Sequence, residues 1–138
     1  MSSVRALLKQ GSILLVAAML PAWATASFRW SWRLPPEIQS LPLSEVRQAP
    51  NPILWVDVRD PERFQAAHIP EALYFDELNP QGALPNLLQR WTPRSKVLVY
   101  GEGQGSDRAL RVAKTLKKIL ASSEVFLLEG GWLAWPKP

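Results

Sequence analysis

A thiolate is the first nucleophile to look for in a chain of 138 residues, and this one has none because it contains no cysteine. Persulfide, disulfide and thiolate-to-metal chemistry by its own side chains are excluded. There is a single histidine, His68. One imidazole without a thiol gives no usual zinc or iron–sulfur ligand set, and the carboxylates show no ligand spacing. No metal and no cofactor is expected. The hydroxyl of Ser106 is a conceivable nucleophile, but only with a base to deprotonate it.

Two groups of residues keep the types and spacing for other chemistry. The run Gly101, Glu102, Gly103, Gln104, Gly105, followed by Ser106 and Asp107, joins an apolar strand to a helix. Alternating glycines let successive backbone amides converge on an anion at a helix N-terminus, so these seven residues are candidates for binding a small oxyanion. Glu102 opposes this with a negative charge inside the loop. Ser106 or Asp107 can also cap the helix and take up the amides that an anion would need. A loop that merely turns the chain is the simpler alternative. The second group is Asp57 and Arg59 at the carboxyl end of another apolar run, the end where sheets of this kind place their sites.

The elements that must position these residues follow from periodicity and punctuation. Residues 53–58 (ILWVDV) and 96–100 (KVLVY) read as buried strands, with 72–75 and 125–128 as two more. Asp60, Pro61 and Glu62 spell a helix start: a capping carboxylate, a proline at the first position and an acid favoured by the dipole. The helix should run to about Ala67. Residues 84–91 read as a helix, and 106–121 is the clearest one. Ala109, Val112, Ala113, Leu116 and Leu120 share one face there, while Arg111, Lys114, Lys117 and Lys118 form a solvated one. Trp132 and Trp135 lie on a last helical turn and should cover the sheet edge, and Trp55 should be core. Strands alternating with helices across short connections imply an α/β fold with a mainly parallel central sheet.

The formal charge of +4 is confined to the N-terminal stretch, where Arg5, Lys9, Arg29 and Arg33 precede the first acid, Glu37. Beyond them 12 basic residues face 12 acidic ones. No basic stripe for nucleic acid remains, and nucleic acid is not expected as a partner. Arg5 and Lys9 stand before an uncharged run containing ILLVAAML, and Ala22, Ala24 and Ala26 give two A-x-A patterns. This is the layout of a secretory signal. The alternative is an uncleaved anchor, since residues 10–28 would span about 28 Å as a helix, with membrane contact through residues 10–32. The expected organisation is a signal peptide or anchor at 1–28, a linker or short leading strand at 29–40, and one domain at 41–138, exported or membrane-anchored.

Three segments carry a resemblance: residues 56–59 (VDVR) with Glu62, Arg63 and Phe64; residues 67–72 (AHIPEA); and residues 127–135 (LLEGGWLAW). In this order and spacing the chain resembles the rhodanese domain over roughly residues 41–135. The resemblance implies a single α/β domain with a parallel sheet of about five strands and helices on both faces. It also implies a sulfur-carrying cysteine as the first residue of the loop after the strand 97–100, and that position is Gly101 here. By the same resemblance His68 belongs to a structural turn, which leaves Ser106 without a base. Asp57 would hold nearby loops, Arg59 would pair with a helix acid such as Glu62, and the loop would run about two residues longer than the commonest form. The expected function is therefore a rhodanese-like domain without sulfur transfer that binds a protein partner, such as an envelope component. The alternative is oxyanion or sulfur-compound binding by the loop 101–107.

Overall fold

The computed structural model describes residues 38–122 and 124–137. The apolar N-terminal segment, with the expected signal or anchor, lies outside them. Among the described residues no helix is long and apolar enough to cross a membrane.

Five strands form one sheet: β1 (Gln39–Leu41), β2 (Ile53–Asp57), β3 (Leu73–Tyr74), β4 (Lys96–Tyr100) and β5 (Val125–Leu128). Their spatial order is β1-β5-β4-β2-β3, and every pairing is parallel. Among the described residues four α-helices alternate with them: α1 (Leu43–Gln48), α2 (Pro61–Ala66), α3 (Pro80–Arg90) and α4 (Asp107–Leu120). A 3-10 turn, Gly131–Ala134, follows β5.

The pleat sorts the strand residues onto two faces. Leu54, Val56, Val58, Val97, Val99 and Val125 meet Ala109, Val112, Ala113, Leu116 and Leu120 of α4 and Leu87 of α3 in the larger core. On the opposite face Tyr100 and Leu128 join Ile69 and Ala72, with Leu43, Trp55, Phe64, Trp132 and Trp135 around them. Val56, Val97, Val99 and Leu116 are fully buried. Each such side chain contributes about 1.5–3 kcal/mol, so the central parallel strands and α4 hold the frame of the site. Trp55 is half-buried rather than fully enclosed, because its face is covered by short elements instead of a long helix.

Three local departures have physical causes. β3 is only two residues long, since it is an edge strand held by Val56 opposite Leu73 and Asp57 opposite Tyr74. α3 starts at Pro80, four residues before the expected start, and carries Gly82 and Pro85 within it. Pro80 at the first turn is well tolerated, whereas glycine and proline further in are read from sequence as breakers. Packing of Ala83, Leu84 and Leu87 on the larger core overrides them. β1 takes in Gln39 and Ser40, just before the expected domain start.

Candidate functional site at the carboxyl ends of β2 and β4

Strands β2 and β4 end side by side, with the Val58 amide donating to the Tyr100 carbonyl at 3.1 Å. The chain then diverges into α2 on one side and into the glycine loop on the other. Asp57 and Arg59 are both buried at this fork. The Arg59 Nε donates to both Asp57 carboxylate oxygens at 3.1 Å, and its Nη2 donates to Oδ2 at 2.8 Å. The Arg59 amide adds 2.9 Å to Oδ1, and Nη2 reaches the Ala67 carbonyl at 2.6 Å. Burial opposes the charge on Arg59, but hydrogen bonding and attraction from Asp57 outweigh it and hold its pKa above the ordinary arginine value.

The Arg59 guanidinium also lies 4.4 Å from the ring centre of Trp132 and 5.8 Å from that of Tyr100. Such stacking over aromatic faces suits a delocalised cation withdrawn from water. Trp132 thus covers the fork itself rather than the sheet edge, and Trp135 stands edge-on to Trp55 at 5.6 Å. Burial drives the Tyr100 phenol far above its usual range, and Asp57 adds to the shift. The hydroxyl accepts from the Ile69 amide at 3.2 Å.

The expected pairing of Arg59 with Glu62 is replaced by a different one. Its charged neighbours are Asp57 and Glu102, the latter 3.8 Å from Nη1. Asp57 starts two residues before Arg59 on the same strand end and engages it first, and Glu62 is exposed. The Asp60 carboxylate likewise makes no cap bond to α2. It bonds Arg108 at 2.9 Å instead, which lowers its pKa.

The loop is buried at Gly101 and exposed at Gln104 and Gly105. Its carbonyls are fastened to the 3-10 turn: Gly101 accepts from the Trp132 amide at 2.9 Å and Glu102 from the Leu133 amide at 3.1 Å. The Gln104 side chain accepts from the Gly130 amide at 2.6 Å. Gly131 makes this approach possible, since with φ at 57° a β-carbon there would stand 2.7 Å from the Gly101 carbonyl oxygen. Ser106 caps α4 by accepting from the Ala109 amide at 3.2 Å. Of the two capping candidates, Ser106 takes the role and Asp107 occupies the first helical position.

Gly101 faces Ser106 directly. A β-carbon on Gly101 would lie 2.6 Å from the Ser106 β-carbon and would also strike its hydroxyl oxygen. The side chain of Ser106 therefore stands in the space that a residue with a β-carbon at Gly101 would need.

A cavity of about 320 Å³ opens in front of the loop, lined by Val58, Arg59, Asp60, Arg63, Gly101, Glu102, Ser106 and Arg108. Gly103, Gln104 and Gly105 face a smaller hollow of about 80 Å³ behind it. Gly101 and Ser106 line both spaces, Glu102 only the larger, and Asp107 neither, so the seven loop residues do not surround a single space. His68 does not line the cavity. Its ring stacks on Phe64 at 4.1 Å and its Nδ1 is 2.8 Å from the Phe64 carbonyl oxygen. Ser106, which does line it, already uses its hydroxyl as a helix cap. Among the described residues no acidic or histidine cluster could hold a metal.

Arg63, quoted above only as part of a segment of the resemblance, and Arg108 were not among the expected site residues, yet each brings a guanidinium to the cavity. Arg108 left a clue. A cation in the first turn of a helix opposes the dipole and needs a specific partner, here Asp60. Arg63 left none, because an arginine inside a short helix reads as surface.

A rhodanese-like domain model matches residues 43–137. The chain belongs to the rhodanese-like domain family. Among solved structures it is similar to a protein of Bacillus halodurans, with a TM-score of 0.53 and 20% identity over 80% of this chain and 77% of that one. It is also similar to a rhodanese-like domain protein from Staphylococcus aureus, with a TM-score of 0.49 and 21% identity over 72% of this chain and 93% of that one. No curated protein matches.

Proposed function

We propose that this domain uses the rhodanese fold without its sulfur chemistry and serves as a binding module for a protein partner in the cell envelope. The observation that carries the proposal is the pairing of Gly101 with Ser106: the family's nucleophile position has no side chain, and a serine fills the space beside it. Backbone amides can stabilise a persulfide but cannot replace the sulfur atom that bears it. Export or tethering is proposed on the charged start, apolar run and small residues before residue 29.

The test is thiosulfate-to-cyanide transfer by the purified wild-type protein. No turnover above a boiled control is expected, and reproducible turnover would overturn the proposal. Fractionation and the mass of the mature N-terminus test the envelope assignment, which a full-length cytosolic protein would end.

A second function, binding of small oxyanions at the loop, is favoured by the three arginines of the cavity. Titration with thiosulfate or sulfate distinguishes it: saturable binding by the wild type that is lost in Arg63→Ala would support oxyanion binding over the protein-binding role.

A further inference from the structure

Three guanidinium groups and two carboxylates line the 320 Å³ cavity, and the carboxylates differ in how they are held. Asp60 bonds Arg108 through Oδ1 at 2.9 Å and its side chain is 58% exposed, so water can reach the carboxylate. Glu102 comes from the loop and is held at one end only. Its Oε1 lies 2.7 Å from Nη1 of Arg63, while Oε2 stops 3.8 Å short of Nη1 of Arg59. That second oxygen is shielded from water and has no hydrogen-bond partner.

The mismatch has a geometric origin. Arg59 spends Nε and Nη2 on Asp57 and the Ala67 carbonyl, which leaves Nη1 directed at Glu102. The Glu102 backbone is pinned by the Leu133 amide, so its side chain spans to Arg63 but does not close on Arg59. The result is an anion held in the arginine cavity with one of its two oxygens well placed. The Glu102 and Arg63 side chains are 44% and 56% exposed, so their contact is open to competition from solvent and solutes.

We infer that Glu102 is a built-in ligand of the arginine cavity, an autoinhibitory carboxylate that excludes tetrahedral oxyanions of the phosphate and sulfate type until it swings aside. A free tetrahedral anion has enough oxygens to meet Arg59 Nη1 and Arg63 together, as the tethered carboxylate does not. The inference rests on the second reading above, oxyanion binding at the arginine cavity, and adds how that site is regulated.

Calorimetric titration with inorganic phosphate tests it on the wild type, Glu102→Gln, Glu102→Ala and the double variant Glu102→Gln with Arg63→Ala. Removing a like charge a few ångströms from the incoming anion should tighten phosphate binding by about tenfold or more in both single variants. The double variant should lose that gain. Equal phosphate affinity in the wild type and both single variants would overturn the inference, as would a gain that survives loss of Arg63. Phosphate carries no transferable sulfur, so the result is separate from the turnover assay. Turnover by the wild type would end the proposed function and leave the phosphate result standing, and the reverse also holds.

Discussion

Ser106 occupies the space in front of Gly101: a β-carbon on the glycine would come within 2.6 Å of the serine β-carbon. Gly101→Cys should therefore strain the loop as well as supply a thiol. Overpacking of this kind costs about 1–3 kcal/mol. Adding Ser106→Gly should recover most of it, because glycine at a helix cap costs only a few tenths of a kcal/mol relative to serine. Urea denaturation of the two single variants and the double variant checks the coupling, and strictly additive effects would contradict the contact. Sulfur transfer should stay absent in the Gly101→Cys protein, since Glu102 beside the thiol would raise its pKa and repel an anionic donor.

Asp57→Asn should destabilise the domain by about 3–5 kcal/mol, the usual cost of leaving one member of a buried ion pair without its partner. The side chains of Asp57 and Arg59 are 0% and 4% exposed, so water cannot compensate. Arg59→Lys should also be destabilising, because an ammonium cannot reproduce the two-pronged contact or the stack on Trp132. Urea midpoints unchanged from wild type would contradict both expectations.

Gly131→Ala should cost about 1–3 kcal/mol, the range for a residue forced into a sparsely populated backbone conformation. It should also disturb the loop, because the new methyl would meet Gly101 and Gly103 backbone atoms at 2.7–3.0 Å. Amide chemical shifts at Gly103 and Trp132 check this, and unchanged shifts would contradict it.

The pair of Glu77 and Arg111 gives a pH signature. Hydrogen bonding to Arg111 lowers the Glu77 pKa below its ordinary 4.5. A depressed carboxylate contributes stability that is present above its unfolded pKa and lost as pH falls through its folded one. Arg111→Ala should therefore raise the Glu77 midpoint in a carboxyl NMR titration. The wild type and the variant should differ in stability near neutrality and converge once the pH is below the wild-type midpoint. A Glu77 midpoint unmoved by Arg111→Ala would refute the pairing.

The order of elements was legible in the sequence because parallel strands leave continuous apolar runs and α4 shows its apolar face at helical spacing. Gly101 could be set at the family's cysteine position only by resemblance, because three matching segments fix the register of the chain around the loop. The charge pairing was not. Asp60 reads locally as a cap, but its partner Arg108 is 48 residues away. Glu102 reads as a charge within a loop, and only the fold carries Arg63 to it. Long-range partners of this kind leave no trace in spacing, as α3 shows for packing: Gly82 and Pro85 argue against a helix locally, and burial against the sheet decides otherwise.

The fastening of the loop to the 3-10 turn turns two amide protons into a gauge. Trp132 and Leu133 can exchange hydrogen for deuterium only when their bonds to the Gly101 and Glu102 carbonyls part. Their exchange rates thus record how often the loop lifts, from positions about thirty residues further along the chain. Where those bonds hold, the mouth of the cavity keeps its shape on the timescale of that clock.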